Sequence, residues 1–329
     1  MTRLAVPLLV FAAVIGVARC APEVVDSARC AAVGDVVDPC GSEAPDGGAS
    51  PGTPDPGVVP AGTVGTNGGT VDRLWFATTG DTRPGWCDQS DHYPTAAITQ
   101  IARSMKALRV QFAVDLGDHM YVCNQSAAEA RTQMGFYMGA VAQGPKTWWM
   151  TMGNHECGNG TYPYSCFAGQ TDANFGAYMA ALGRALPYYF ADVQTSLGKA
   201  RFVMVADDSW DAAQASWLES ALADADATAR YTIVARHHPV TGSRSGNPQI
   251  VAAIGRHKYT LLLTAHSHQY AHDTSSFGGR SVIMGLGGAP TSTPPGFGTI
   301  LQDTDGSLTF VRRDANGNPI DTTWTVRPQ

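Results

Sequence analysis

The sequence predicts an α/β fold, and three observations carry that expectation. Short apolar strands alternate with amphipathic helices, the strands run repeatedly into Gly-Asp or Gly-Asn turns, and the C-terminal tail changes to strands alone. Leu74–Thr79 is a short apolar strand entering Gly80-Asp81. Thr95–Leu108 sets Ile98, Ile101, Met105 and Leu108 at the spacing of one helix face. Val110–Leu116 is the next strand and enters Gly117-Asp118; Ala127–Val141 reads as a helix; Thr147–Met152 reads as a strand ending in Gly153-Asn154. Arg201–Val205 is expected as a strand, and Ala212–Ala223 as a helix burying Trp217, Leu218 and Leu222. Tyr231–Ala235 leads into His237, and Tyr259–Thr264 into His266. Such alternation favours a largely parallel central sheet. Ser281–Met284, Thr299–Gln302, Leu308–Arg312 and Thr322–Val326, split by Gly, Asp and Asn turns, are expected to form a second sheet packed on the first.

Composition narrows the class. A chain of 329 residues holds one large domain or two small ones, and 44% hydrophobic with 15% charged residues is the balance of a soluble protein with a sizeable core. A net charge of -6, with no basic run, argues against a nucleic-acid surface. Residues 1–20 read as an export signal: Arg3 gives the positive end, Leu4–Val17 the apolar stretch, and small residues surround Ala18 and Ala21. That stretch is short for a membrane span, and no later segment qualifies as one. Cys20 offers a lipid anchor as an alternative, disfavoured by Arg19 before it. The expected location is therefore secreted, or periplasmic or cell-surface. Residues 21–70 include a Gly-, Pro-, Ala-, Ser- and Thr-rich run from Gly41 to Thr70 that cannot bury enough surface to fold, so they read as a disordered tether before a folded domain at 71–329.

Seven cysteines in an exported chain point to disulfides. Connectivity cannot be deduced from sequence, and pairing of neighbours is the working expectation: Cys30 with Cys40, Cys87 with Cys123, Cys157 with Cys166. The second pair would tie together two loops that each carry a candidate ligand. The absence of a C-x-x-C pair counts against a zinc-cysteine site.

Five segments carry chemistry: GDTR (80–83), GDHMY (117–121), GNHE (153–156), VARH (234–237) and AHSH (265–268). Each follows an expected strand, and open α/β sheets gather their sites at the carboxyl ends of strands. Asp81, Asp118, Tyr121, Asn154, His237, His266 and His268 supply hard oxygen and imidazole donors enough for two metal ions. A glycine before the Asp or Asn suits a chain turning sharply beside an ion. Each residue also has an ordinary reading. An Asp after a strand commonly caps a helix or turn, Asn154 suits a left-handed turn, and Tyr121 suits a core. His266 and His268 are stronger because positions two apart on a strand share a face. The joint order of the five segments outweighs the separate ordinary readings. Arg236 and His238 are expected to point away from His237 by alternation, Arg83 and Arg244 to be solvated, and the Met134, Met138 and Val141 stripe to be helix core. His92, His257 and His272 have no required role, while His119 lies within a motif and could approach the site.

From about Leu74 onward the chain resembles the calcineurin-like metallophosphoesterases, and within them the purple acid phosphatases, whose pattern is GDxG, GDxxY, GNHE, VxxH and GHxH. The Pro187-Tyr188-Tyr189 run, Gln214 with Trp217-Leu218, and GLGGA at 285–289 add to the likeness. The resemblance implies two packed mixed β-sheets flanked by helices. It implies that Asp81, Tyr121 and His268 bind a first metal, Asn154, His237 and His266 a second, and that Asp118 bridges them. His155 would sit beside the phosphate and assist the leaving group, so His155 and Asp118 are the catalytic candidates. Arg83 stands where many relatives have a ligating His, and Tyr121 supplies a donor in its stead; a phenolate suits Fe(III) beside a divalent ion (Fe, Zn or Mn). Ala265 replaces a Gly of the pattern. The implied reaction is cleavage of small phosphate esters, monoesters preferred, by attack of a metal-bound hydroxide. The alternatives are a phosphodiesterase or nucleotidase on the same site, or a non-catalytic metal-bearing binding protein at the cell surface. The loop 157–171 is the expected determinant of substrate, and a candidate lid.

Overall fold

Strand pairing distributes the expected parallel strands over two sheets. The computed structural model describes residues 60–158, 166, 172–240, 247–274 and 277–329, with the main chain alone at 321 and 322. In chain order the elements are β1 (Gly62–Gly65), β2 (Gly68–Val71), β3 (Trp75–Thr79), α1 (Thr95–Ala107), β4 (Phe112–Asp115), α2 (Ala127–Val141) and β5 (Trp148–Met150). There follow α3 (Ala173–Leu182), β6 (Tyr189–Thr195), β7 (Gly198–Met204), α4 (Ala212–Thr228), β8 (Tyr231–Ala235), α5 (Pro248–Gly255) and β9 (Leu261–Thr264). The last are β10 (Tyr270–Asp273), β11 (Ser281–Met284), β12 (Gly296–Gln302), β13 (Leu308–Asp314) and β14 (Pro319–Val326).

An eight-stranded sheet runs β1-β2-β6-β7-β8-β9-β11-β10, and a six-stranded sheet runs β14-β13-β12-β3-β4-β5. Both are mixed. The parallel run β3-β4-β5 continues into the antiparallel tail strands through β12, and the parallel run β7-β8-β9-β11 is flanked by antiparallel pairs. The expectation of one parallel sheet with a separate tail sheet is therefore corrected. β12 to β14 extend the sheet begun by β3, and β11 joins the other sheet. Apolar periodicity marks a strand but not its partner, which is chosen by contacts distant in sequence.

The two sheets face one another across a shared apolar layer that includes Phe76, Phe112, Ile300 and Phe310 from one and Phe202, Ile233 and Leu263 from the other. Phe76 and Phe112 stack at 5.2 Å, and Phe202 meets them edge-on at 5.1 and 5.2 Å. Each such side chain contributes about 1.5–3 kcal/mol by burial, with about 0.5–1.5 kcal/mol more per aromatic pair. The helices cover the outer faces. α1 buries Ile98, Ile101 and Met105 as its spacing predicts. Its neighbour α2 starts where Ser126 accepts a hydrogen bond from Glu129 N, and α4 starts where Asp211 accepts one from Gln214 N. Two side chains depart from expectation: Trp217 is half-buried against Tyr188, and Met138 is 38% exposed, so only Met134 and Val141 of that stripe are core.

The tether boundary near residue 70 also needs correction. Residues 62–71 form the antiparallel hairpin β1-β2, and β2 pairs in parallel with β6. The hairpin buries little side-chain surface and is held by main-chain bonds and by donors from the β5 region. Thr147 Oγ1 donates to Val64 O, and Trp149 Nε1 donates to Thr66 O. Cys87–Cys123 and Cys157–Cys166 are disulfides, as neighbour pairing predicts. The leader, the rest of the tether, the Cys30–Cys40 pairing, Arg244 and most of loop 157–171 lie outside the described residues. No helix among the described residues is long and apolar enough to cross a membrane.

Candidate metal centre

All five motif segments emerge at carboxyl ends of parallel strands, three from one sheet and two from the other. β3 leads to Asp81, β4 to Asp118 and Tyr121, and β5 to Asn154 and His155; β8 leads to His237, and β9 to His266 and His268. The site thus straddles the edge where the two sheets face each other. Local hydrogen bonds zip the loops together: Asp81 N donates to Gly117 O and Thr82 N to Asp118 O, both at 2.9 Å, and Ala265 N donates to His237 O at 2.8 Å. Asp81, Asp118, His266 and His268 all adopt positive φ, at 60°, 62°, 67° and 51°. Non-glycine residues in this region cost about 1–2 kcal/mol each, and such strain clusters at functional sites. Asn154, which suits a left-handed turn on sequence grounds, does not adopt one.

Two ligand-type groups form, and Asp118 belongs to both. Asp118, His237 and His266 offer donor atoms within 4.8 Å of one another, as do Asp81, Asp118 and His268. His237 Nε2 lies 3.3 Å from Asp118 Oδ1, 3.1 Å from Asn154 Oδ1 and 3.1 Å from His266 Nδ1. Its other ring nitrogen, Nδ1, lies 2.7 Å from Leu116 O. That carbonyl accepts the Nδ1–H hydrogen bond, which fixes the ring so that Nε2 faces the cluster. Against burial, Asp118 and Asp81 raise the metal-free imidazolium to about 10, and a cation would take the place of the Nε2 proton. On the other side His268 Nε2 is 3.4 Å from Asp81 Oδ1. Both Asp81 carboxylate oxygens are buried without a hydrogen-bond partner, an arrangement a cation satisfies. A Cβ added at Gly285 would come within 2.1 Å of Asp81 Oδ2, so only glycine leaves room for that carboxylate. The donor set therefore fits two cations sharing Asp118.

Tyr121 and His155 sit together at the margin, with ring centroids 4.1 Å apart. His155 N donates to Asp118 Oδ1 at 3.1 Å, and its Nε2 lies 3.8 Å from Asp118 Oδ2. Arg83 is not solvated, contrary to expectation. Its Nε donates to Asp118 Oδ2 at 3.2 Å, its Nη2 is 3.1 Å from His268 Nε2, and its guanidinium lies 4.6 Å over the Tyr121 ring. Burial pushes the Asp81 carboxyl up to about 7, with Asp118 adding to the shift against the pull of His237. For Asp118, burial is outweighed by His237, His155 and Arg83, which hold its carboxyl well below the usual range. Burial pushes His155 down to about 4.

Beneath the donors lies a layer of polar residues that motif reading left unassigned. Glu156 is fully buried and accepts from Asp118 N at 2.9 Å, His119 N at 2.6 Å and Gly153 N at 2.6 Å. It thus pins the loop bearing Asp118 to the loop bearing Asn154. His119 does not reach the donor cluster; it is buried between Asp115 Oδ1 at 2.9 Å and Glu156 Oε1 at 3.3 Å. Burial alone would lower the His119 pKa, but the two carboxylates outweigh it and raise the imidazolium to about 10. Arg236 forms a buried fork with Asp207, whose Oδ2 also accepts from His238 N. His238 does not point away, because its ring lies 4.3 Å from that of His266 and its Nε2 is 3.0 Å from Asp208 Oδ2. Alternation fails here because β8 ends at Ala235, before these residues. One signal for this layer was available in the sequence: Asp115 is a charged residue at the end of the otherwise apolar Phe112–Asp115 strand. Of the remaining histidines, His257 pairs with Glu219 and Asp226, His272 stacks on Trp324, and His92 is exposed beside Asp91.

Two facing mixed sheets with a shared-carboxylate donor cluster at their common edge define a metallophosphoesterase-type architecture. The chain belongs to the calcineurin-like phosphoesterase family, whose model matches residues 74–270. Among solved structures it is similar to a purple acid phosphatase isolated from yellow lupin (Lupinus luteus) seeds, at 16% identity and a TM-score of 0.56. That match covers 79% of this chain and 56% of the lupin chain, so this chain spans little more than half of it. It is also similar to a dimetal phosphatase from Danio rerio, at 14% identity and a TM-score of 0.53, covering 78% of this chain and 99% of that one. At these identities the likeness concerns the fold. No curated protein sequence matches the chain.

Proposed function

We propose that this chain hydrolyses phosphate esters, monoesters in preference to diesters, at two cations. Asp81, Tyr121 and His268 would hold one, Asn154, His237 and His266 the other, with Asp118 shared. The observation that supports this best is the pair of donor groups meeting at Asp118, one of them with an imidazole ring oriented by Leu116 O. A phenolate from Tyr121 favours Fe(III) beside divalent Fe, Zn or Mn. Such a pair neutralises phosphate oxygens and lowers the pKa of bound water toward neutrality. The chain's own residues do the rest. The P–O ester bond breaks as water adds to phosphorus, one water proton passes to the departing oxygen, and neutral His155 stabilises that oxygen by donating a hydrogen bond to it, giving an alcohol and inorganic phosphate. Arg83 is a fixed cation beside Asp118, and the second negative charge of a monoester gains from it what a diester cannot. Rate comes from positioning and electrostatics, without a covalent protein intermediate. The two disulfides support export to an oxidising compartment, with the protein secreted or held in the periplasm or at the cell surface.

The test is reconstitution with Fe(III) plus Zn or Mn, followed by assay of a chromogenic monoester and diester between about pH 5 and 8. Asp118→Ala should lose metal and turnover together. His155→Asn should keep its metal while turnover falls about 10²- to 10⁴-fold. A violet absorption that disappears in Tyr121→Phe would report tyrosinate on Fe(III). Full metal occupancy without turnover on either ester would overturn the reading in favour of a non-catalytic binding protein.

A further inference from the structure

Arg83 and Trp86 lie on one short segment, and of the two only Arg83 contacts the donor residues. Trp86 is 73% exposed, while the other exposed large apolar side chains, Phe136, Met138, Leu186 and Phe190, lie between 38% and 41%. Two of those are partly engaged, Phe136 by Tyr93 and Phe190 by Arg201. Among the described residues no ring, cation or hydrogen-bond partner engages the Trp86 indole.

An exposed side chain on a loose loop would mean little, but this segment is fixed at both ends and in the middle. Arg83 is anchored in the site by Asp118, His268 and Tyr121. Beyond the indole, Cys87 is bonded to Cys123, and Asp88 N donates to Tyr121 O at 2.9 Å. Asp88 Oδ1 in turn accepts from Cys123 N at 2.9 Å and Asn124 N at 3.3 Å. Between them Gly85 lies so close to Pro290 that a Cβ there would come within 2.9 Å of its Cγ. Both flanks of Trp86 therefore touch the Tyr121 segment, so the exposed indole is carried by a stretch that borders the site. Trp86 is the third residue after Arg83, a main-chain reach of at most about 11 Å.

The geometry points to Trp86 as a leaving-group platform: the site takes phosphate monoesters whose leaving group carries a flat aromatic ring, and the indole stacks on that ring. This rests on the hydrolytic reading above and names its substrate class. With its main chain fixed, the indole has only two side-chain torsions to lose on stacking, and the face of any aryl group or nucleobase suits it. The ring could be bonded directly to the ester oxygen, as in an aryl phosphate, or held one sugar away, as in a nucleoside 5′-monophosphate.

The test compares phenyl phosphate, adenosine 5′-monophosphate and glycerol 2-phosphate on the metal-loaded wild type, Trp86→Ala and Trp86→Phe, with retention of the Cys87–Cys123 disulfide checked by peptide mapping. The ratio of kcat/KM for an aromatic substrate over glycerol 2-phosphate should fall roughly tenfold in Trp86→Ala, mainly through KM, and largely recover in Trp86→Phe. A fall with phenyl phosphate alone assigns the ring position directly at the ester, and a fall with the nucleotide alone assigns it beyond a sugar. Unchanged ratios for both overturn the platform. Should the wild type hydrolyse none of the three, the hydrolytic reading fails instead. The platform is then judged by tryptophan fluorescence: quenching by adenosine 5′-monophosphate that is lost in Trp86→Phe upholds it, and equal quenching in both proteins overturns it.

Discussion

Replacing Glu156 with Gln tests whether the buried layer beneath the donors is what holds them in place. The carboxylate accepts three main-chain N–H bonds, two at Oε2 from Asp118 and Gly153 and one at Oε1 from His119. A glutamine fits the same space but carries only one acceptor oxygen. Its best orientation keeps the oxygen at the Oε2 position and turns the amide nitrogen toward His119 N, which sets donor against donor. One charge-assisted bond is lost, at about 1.5–3 kcal/mol, and His119 loses one of its two counter-charges. A total near 3 kcal/mol corresponds to a drop in Tm of about 6–12 °C for a domain of this size. Because Glu156 holds the main chain of Asp118 and of Gly153, the neighbour of Asn154, metal affinity should fall with it, about 10- to 100-fold. Calorimetric melting of the metal-free protein reads the first quantity, and titration calorimetry with metal reads the second. A Tm within about 2 °C of the wild type together with a Kd within about twofold would refute the reasoning.

Three other perturbations have distinct signatures. Gly285→Ala places a methyl 2.1 Å from Asp81 Oδ2 and should displace that carboxylate. Elemental analysis should then find the metal stoichiometry falling from two toward one, with the Asp118, His237 and His266 group still occupied; two tightly held metals would contradict this. Asp207→Asn strips the counter-charge from buried Arg236 and should cost about 3–5 kcal/mol in urea unfolding, with a loss below about 1 kcal/mol counting against it. His119 is raised from 6.5 to about 10 in the folded, metal-free protein. Its stabilising contribution is therefore complete below pH 6.5 and is lost as the pH rises through about 10. The Tm gap between wild type and His119→Gln should narrow across that window, and a constant gap would show that His119 stays neutral.

Much of this architecture is legible in the chain, residue by residue. α2 and β11 have the limits that their patterns predict, and α1 buries the face its spacing marks. The five motif segments meet because each ends a parallel strand, a rule that survives the division of those strands between two sheets. What the pattern could not supply is pairing. β12 lies between β13 and β3 although more than two hundred residues separate it from β3, and nothing in Gly296–Gln302 names that partner. α3 and α5 were hidden for another reason. Pro248–Gly255 is almost uniformly apolar over eight residues, a length at which helix and strand are not distinguished by period. Glu156 stood in plain view within GNHE, but a carboxylate that acts on main-chain N–H groups leaves no ligand spacing to recognise. The cation of Arg83 was misjudged because a surface Arg is the commoner case; only the folded loop brings it onto Asp118.

The left-handed backbone at Asp81, Asp118, His266 and His268 has a consequence for how this protein tolerates change. At Asp81, His266 and His268 a glycine would relax the main chain, so the fold itself gains from losing the side chain that matters there. A library of variants sorted by solubility or heat resistance would accordingly enrich for damaged sites. Its survivors would be sturdier proteins that no longer gather a cation, and selection for sturdiness alone would erase the centre one histidine at a time.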